Sequence, residues 1–157
     1  MKNIVLTRVD DRLIHGQVMT AWVQHCKGNV IEIIDDEVAQ DDFLKLVTTS
    51  TAPENIQVRV DTLEDAVKFL QADAQDQHVI ILVKTPQVIA DLLKRGISIA
   101  QVDVGGMAQR KDRTQLYRNI AASPTERQVF QEIIAAGTDV MVQVIPSDKA
   151  VNITKYL

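Results

Sequence analysis

The chain has 157 residues, enough for one domain with a real core, and 46% of them are apolar, which excludes a disordered chain. A net charge of -4 excludes general nucleic-acid binding, which needs a basic face. The single cysteine, Cys26, excludes an intrachain disulfide and fits a reducing compartment.

Strand and helix patterns alternate along the chain. Asn3 to Thr7 reads as a short strand, followed by a charged loop from Arg8 to His15 and a helix from Gly16 to Cys26 with Val18, Ala21, Trp22 and Cys26 on one face. A strand from Asn29 to Ile34 ends in Asp35-Asp36. The helix after it is expected to turn Phe43, Leu44 and Val47 inward, and Pro53 closes that segment. Ile56 to Val60 reads as the third strand. Beyond Asp61, Thr62 and Asp65 have capping-box spacing for a helix that buries Leu63, Ala66, Val67 and Leu70.

His78 to Val83 is a continuous apolar strand of the kind buried on both faces of a parallel sheet. Thr85-Pro86 starts a helix with Val88, Ile89, Leu92 and Leu93 inward, and Gly96 ends it. A strand over Ile99 to Val104 runs into Gly105-Gly106. Gln109 to Gln115 reads as an exposed loop, with a short strand around Tyr117 to Ala121. Ser123-Pro124-Thr125-Glu126 joins an N-cap, a proline at the first helical position and a reciprocal glutamate. The helix it opens buries Val129, Phe130, Ile133 and Ile134 and stops at Gly137; a strand from Val140 to Ile145 follows.

This order predicts an α/β fold: a single doubly wound, mostly parallel sheet with helices on both faces, in one domain over residues 1–157. Ligands of such sheets bind beyond the carboxyl ends of the strands. The Asp10–His15 loop, Asp35-Asp36, Asp61, Lys84-Thr85 and Gly105-Gly106 gather there, and the first loop is the most densely functionalised.

His15 is the candidate nucleophile. A bland reading makes it a loop histidine bonded to nearby backbone, but its neighbours suit an imidazole that accepts a phosphoryl group. Arg8 and Arg12 can donate charge-assisted hydrogen bonds to phosphate oxygens. Gly16, with Gln17 beside it, supplies backbone amides at a helix start and is the candidate phosphate-binding position. Asp10 or Asp11 orients the ring, holds an arginine or caps the helix. No metal or other cofactor is required if arginines and amides neutralise the charge.

Other residues support weaker readings. Paired acids after the first strand, Asp61 and Thr85 suggest a receiver domain phosphorylated on aspartate with Mg²⁺, but Gly105-Gly106 stands where that fold expects a lysine, and Asp61 is read as a simple helix cap. His25-Cys26 lacks a second pair of metal ligands, and Cys26 reads as inert core. His78 reads as structural and Trp22 as core. Gly105-Gly106 is a tight turn or a close approach of backbone to a partner or phosphate, and Lys84 is either a surface lysine or a charge facing the crevice.

The run Arg8-Val9-Asp10-Asp11-Arg12-Leu13-Ile14-His15-Gly16-Gln17-Val18, with Trp22, closely resembles the start of the IIB component of the mannose-fructose-sorbose family of the bacterial sugar phosphotransferase system. The resemblance continues through Asp35-Asp36-Glu37-Val38, Lys84-Thr85-Pro86 and Val104-Gly105-Gly106-Met107. It implies that His15 accepts a phosphoryl group at its δ1 nitrogen from a phosphohistidine of the IIA component. It further implies transfer to a sugar as the membrane IIC and IID components move it, the activity of a protein-Nπ-phosphohistidine–sugar phosphotransferase. Arg12 matches the family arginine that assists the phosphoryl group; extending that role to Arg8 and Asp10 rests on proximity. The signature starts near Met1, so a stand-alone IIB is expected. With no signal peptide and no apolar run longer than Val79 to Val83, the expected location is cytoplasmic, reaching the inner face of the membrane through partners. A homo-oligomer is compatible with the resemblance, and so is a regulatory module that signals through its phospho-state.

Overall fold

A computed structural model describes residues 1–157. Its main sheet has seven strands in the order β3-β2-β4-β1-β5-β8-β9. These are β1 (Asn3–Asp10), β2 (Val30–Ile34), β3 (Gln57–Asp61), β4 (His78–Val83), β5 (Gln101–Gly106), β8 (Asp139–Val142) and β9 (Val151–Asn152). Six strands are parallel, and β9 closes the edge antiparallel to β8. The apolar run of β4 sits between β1 and β2 and is buried from Val79 to Val83, as a strand covered on both faces must be.

Side-chain alternation divides the core. In β2, Val30 and Ile34 join the larger cluster, whereas Ile31 and Ile33 join the smaller one. Helix α1 (Gly16–Cys26) fills the smaller cluster with Met19 and Trp22. Helices α4 (Leu63–Gln71), α5 (Pro86–Lys94) and α6 (Pro124–Ala135) fill the larger one through Leu70, Ile89 and Phe130. The Thr62 hydroxyl caps α4, and Ser123 with Glu126 forms both halves of the capping box on α6.

The chain leaves β1 for α1 on one face and leaves β5 for α6 on the other. The loops at the carboxyl ends of these neighbouring strands therefore diverge, and such a switch point leaves a crevice.

Several sequence expectations change. The first strand extends through Asp10, so Arg8 and Asp10 are strand residues rather than loop residues. After the short helix α2 (Asp36–Ala39), helix α3 (Asp42–Thr49) buries no residue: Phe43 is 70% and Val47 53% exposed, and only Leu44 of the expected inward set is half-buried. The helical period was right and the face was wrong, because α3 lies at the surface. The segment expected as loop and short strand is a hairpin of β6 (Thr114–Tyr117) and β7 (Ile120–Ala122), turning at Arg118. The strand expected to reach Ile145 ends at Val142. Gly105 and Gly106 lie in β5, not in a tight turn.

Candidate functional site

The carboxyl end of β1 makes the site. Arg8 lies opposite Asp103 in the β1–β5 register, and its Nη1 donates to Asp103 Oδ2 at 2.5 Å and to the Gln143 carbonyl at 3.0 Å. Its Nη2 reaches Asp10 Oδ2 at 3.4 Å. The guanidinium, fully buried, lies 5.6 Å over the Trp22 ring, whose Nε1 donates to the Val144 carbonyl at 3.0 Å. A Cβ at Gly105 would stand 2.0 Å from the Arg8 guanidinium, and one at Gly106 would stand 2.7 Å from Asp10 Oδ1. The glycine pair thus clears space for an internal charge pair. Neither sequence alternative describes this pair: it forms no tight turn, and the groups that approach its backbone are the protein's own Arg8 and Asp10 side chains rather than a partner or phosphate.

Asp10 spends its carboxylate on Arg12. Oδ1 accepts from the Arg12 backbone amide at 3.0 Å and from Nε at 2.9 Å, while Oδ2 accepts from Nη2 at 2.8 Å. That side-on hydrogen bonding pushes the Arg12 pKa up, yet the side chain stays 45% exposed. A guanidinium has five N–H groups, so three of Arg12's remain for an outside oxygen. Asp11 is engaged elsewhere: it accepts from the Ala108 amide at 2.6 Å and from Arg113 Nη1 at 3.0 Å. Arg113 is buried and also forks onto Glu126, with both contacts at 2.8 Å.

Between these clamps the chain turns. The Leu13 amide donates to the Asp10 carbonyl, and Leu13 takes a left-handed φ of 59°. Leu13 and Ile14 anchor the turn in the smaller core, leaving Arg12 and His15 exposed on either side. His15 itself is the N-cap residue of α1. No side chain caps the helix and no acid stands in its first turn, so Gly16 and Gln17 open it with amides that have no side-chain acceptor. A Cβ at Gly16 would meet nothing within 4 Å, so space is open there.

The structure thus places Arg12 on the turn after β1 and His15, Gly16 and Gln17 at the start of α1, with Arg12, His15 and Gln17 exposed. It removes Arg8 from direct contact with an outside phosphate, because its guanidinium is enclosed and faces carboxylates. Asp10 neither caps α1 nor reaches for the ring; it holds the two arginines. Sequence reasoning missed Asp103 and Arg113. An acid between Val102 and Val104 in a buried strand was the available signal for the first; nothing in the polar run around Arg113 marked the second. Burial pushes the Asp103 carboxyl up to about 6, opposed by its Arg8 ion pair and the Gln143 amide.

In the crevice between the β1 and β5 loops lies a cleft of about 560 Å³, walled by Arg12, Gly106, Met107, Asn119 and Gln143 among others; His15 stands outside it. Lys84 is half-exposed and faces Asp35 at 3.5 Å. His78 pairs with Asn3 at the amino end of β1, the opposite edge of the sheet from His15. Asp61 caps no helix and instead accepts from Arg59, while Thr62 takes the capping role. Burial raises the pKa of the half-buried Cys26 thiol, which suits an unreactive side chain.

Fold and site define a doubly wound α/β protein with an exposed histidine, a braced guanidinium and unacidified helix amides at one strand end, a design for handling an anion beside an imidazole. The model of the PTS system sorbose subfamily IIB component matches residues 4–157. The N-acetylgalactosamine-specific phosphotransferase enzyme IIB component 2 of Escherichia coli is 32% identical over 157 residues, covering 100% of both chains. The crystal structure of the IIBSor domain of the Klebsiella pneumoniae sorbose permease superposes with a TM-score of 0.92 at 34% identity, covering 98% of this chain and 95% of that one. The mannose-specific EIIAB component of E. coli is 31% identical over 146 residues, which are 92% of this chain and 45% of that protein. The chain belongs to the sorbose family of phosphotransferase-system IIB components and is a phosphoryl carrier in sugar uptake.

Proposed function

We propose that His15 is the residue that carries the phosphoryl group, in a protein-Nπ-phosphohistidine–sugar phosphotransferase. The N–P bond on a IIA phosphohistidine breaks as one forms at His15 Nδ1. In a second transfer the group passes to a hydroxyl of a sugar held by the membrane IIC and IID components. The observation that carries this reading is an exposed imidazole at a helix start, three residues along the same turn from a guanidinium that Asp10 fixes while leaving three N–H groups free. Arg12 and the amides of Gly16 and Gln17 neutralise the phosphoryl oxygens, and Arg8 and Asp10 act as positioning residues behind Arg12.

A IIA partner is supported by the EIIAB relative, of which this chain spans less than half the length. The relatives' names span N-acetylgalactosamine, sorbose and mannose, so the acceptor class is a hexose or amino sugar. No helix is long and apolar enough to cross a membrane, so contact with the bilayer's cytoplasmic face would run through the membrane components. The test is transfer of ³²P from phosphorylated IIA. Wild-type protein takes up acid-labile, base-stable label and discharges it when membranes carrying the IIC and IID components and sugar are added. His15→Ala takes up none while its melting curve is unchanged; label persisting in that variant rules the reading out.

A further inference from the structure

We infer that Asp103, on the strand beside the histidine loop, is a positioning residue for phosphoryl transfer, acting through Arg8 and Asp10 on the guanidinium of Arg12. The inference rests on the reading that His15 carries the phosphoryl group.

The four side chains form one continuous relay: Asp103 Oδ2 to Arg8 Nη1 at 2.5 Å, Arg8 Nη2 to Asp10 Oδ2 at 3.4 Å, and Asp10 onto Arg12 Nε and Nη2 at 2.9 and 2.8 Å. Only the last member emerges into solvent: Asp103 and Asp10 are 1% exposed and Arg8 is fully buried. The relay is charge-balanced, two guanidinium groups against two carboxylates, and the balance decides its geometry. Arg8 cannot shed its proton, so its charge must be met inside the protein. Asp103 meets it at short range from β5, which leaves Arg8 only a long contact to Asp10. Asp10 is thereby free to give both oxygens to Arg12.

Without the Asp103 charge, Asp10 becomes the only carboxylate within reach of Arg8. The buried guanidinium then competes with Arg12 for it, from a less hydrated position and therefore more strongly. Arg12 swings loose, and the N–H groups meant for the phosphoryl oxygens lose their fixed direction. The other groups around Asp103 offer Arg8 no substitute negative charge: the Gln143 backbone is neutral, and Cys26 on α1 holds a thiol with a raised pKa. The absence of a side chain at Gly105 fits the same purpose, since any Cβ there would collide with Arg8 and displace the relay at its middle.

The test is single-turnover phosphorylation by phosphorylated IIA with Asp103→Asn, which keeps the shape and removes the charge. The maximal rate falls about tenfold, as misdirected catalytic groups do, while the half-saturating IIA concentration stays within about twofold of wild type. In an Arg12→Ala background, Asp103→Asn changes the rate by less than about twofold, because its effect passes through Arg12. A wild-type rate for Asp103→Asn, or a loss that repeats in full without Arg12, overturns the inference. Should Asp103→Asn fail to fold, the pair Arg8→Met with Asp103→Leu removes both buried charges and suits the apolar interior. That pair removes the competitor for Asp10 together with its partner, so it is expected to fold and to transfer within about threefold of wild type, and a tenfold loss from it is equally fatal. His15→Ala in the same assay separates the two failures, since label on that variant refutes the carrier reading and not the relay.

Discussion

Two arginines of the sheet are each held between two carboxylates and laid over an aromatic ring. Arg8 sits between Asp10 and Asp103 over Trp22, and Arg59 sits between Glu32 and Asp61 over Phe69. In both, one carboxylate is the direct cross-strand neighbour in a parallel register, Asp103 opposite Arg8 and Glu32 opposite Arg59. They differ in which partner is enclosed. Arg8 is buried together with both of its carboxylates, whereas the Arg59 side chain is 31% exposed and only Glu32 of its set lies fully inside. A buried guanidinium keeps its charge and opposes the rise that burial imposes on Asp103, which reaches only about 6 and so stays ionised at neutral pH. A buried carboxyl can take up a proton instead, and Glu32 is pushed up to about 9 by burial first and the neighbouring Asp61 second. The first seam, at the strand end that carries His15, is a rigid charge framework; the second, beside edge strand β3, is a titrating one.

The largest effect is expected at the middle of the rigid seam. In Gly105→Ala the new methyl group falls 2.0 Å from the Arg8 guanidinium, which is enclosed by Asp103, Asp10 and Trp22 and has no open direction in which to move. Overpacking and a disturbed buried ion pair together should cost about 3 kcal/mol or more, read from urea denaturation midpoints. A loss under about 1 kcal/mol would mean that Arg8 can swing to solvent, and the two seams would then be alike.

The contrast between the seams also marks what the sequence could disclose. The placement of Arg12, His15, Gly16 and Gln17 was legible because it is local: a strand, a tight turn and a helix start follow one another within ten residues. The run of β4 and the Ser123–Glu126 capping box were legible for the same reason. Arg8 was assigned to the right region and the wrong surroundings, because charged residues after an apolar strand read as loop. The partner that draws Arg8 inward, Asp103, lies 95 residues away. Arg113 was lost similarly, with Asp11 102 residues distant. Phe43 and Val47 show the converse limit: periodicity predicts that a helix has an apolar face, not that the fold covers it.

In the titrating seam the effect should be smaller and opposite in sign. The folded protein holds the Glu32 proton up to about pH 9, while an unfolded chain releases it near pH 4.3. Over that window the native state binds more protons than the unfolded one, so this group lowers stability as pH rises. Glu32→Gln, neutral at every pH and still able to accept from Arg59, removes the penalty. It should match wild type near pH 4 and exceed it by about 2 kcal/mol at pH 8, measured as paired denaturation curves. An advantage that stays flat from pH 4 to 8 would show Glu32 ionised by Arg59, and the seam would not titrate.

The smallest effect should come from a cation on the same rim that belongs to neither seam. Lys84 follows β4 and faces Asp35 at 3.5 Å, with its side chain 38% exposed and Asp35 already occupied in accepting from the Val38 amide. An exposed lysine of this kind contributes little: the ion pair is screened, and holding the long side chain in place costs entropy. Lys84→Ala should therefore change stability by less than about 0.5 kcal/mol and leave transfer from phosphorylated IIA within about twofold of wild type. The comparison is informative because Lys84 and Arg12 are both partly exposed cations beyond neighbouring strands, each beside one aspartate. What separates them is bracing: Arg12 is gripped side-on through two donors by a carboxylate itself tied to Arg8, whereas Lys84 meets one oxygen at a longer distance. If Lys84→Ala slowed transfer about tenfold with an unchanged melting curve, charge on the rim rather than direction would be what the chemistry requires, and the framework around Arg8 would lose its reason.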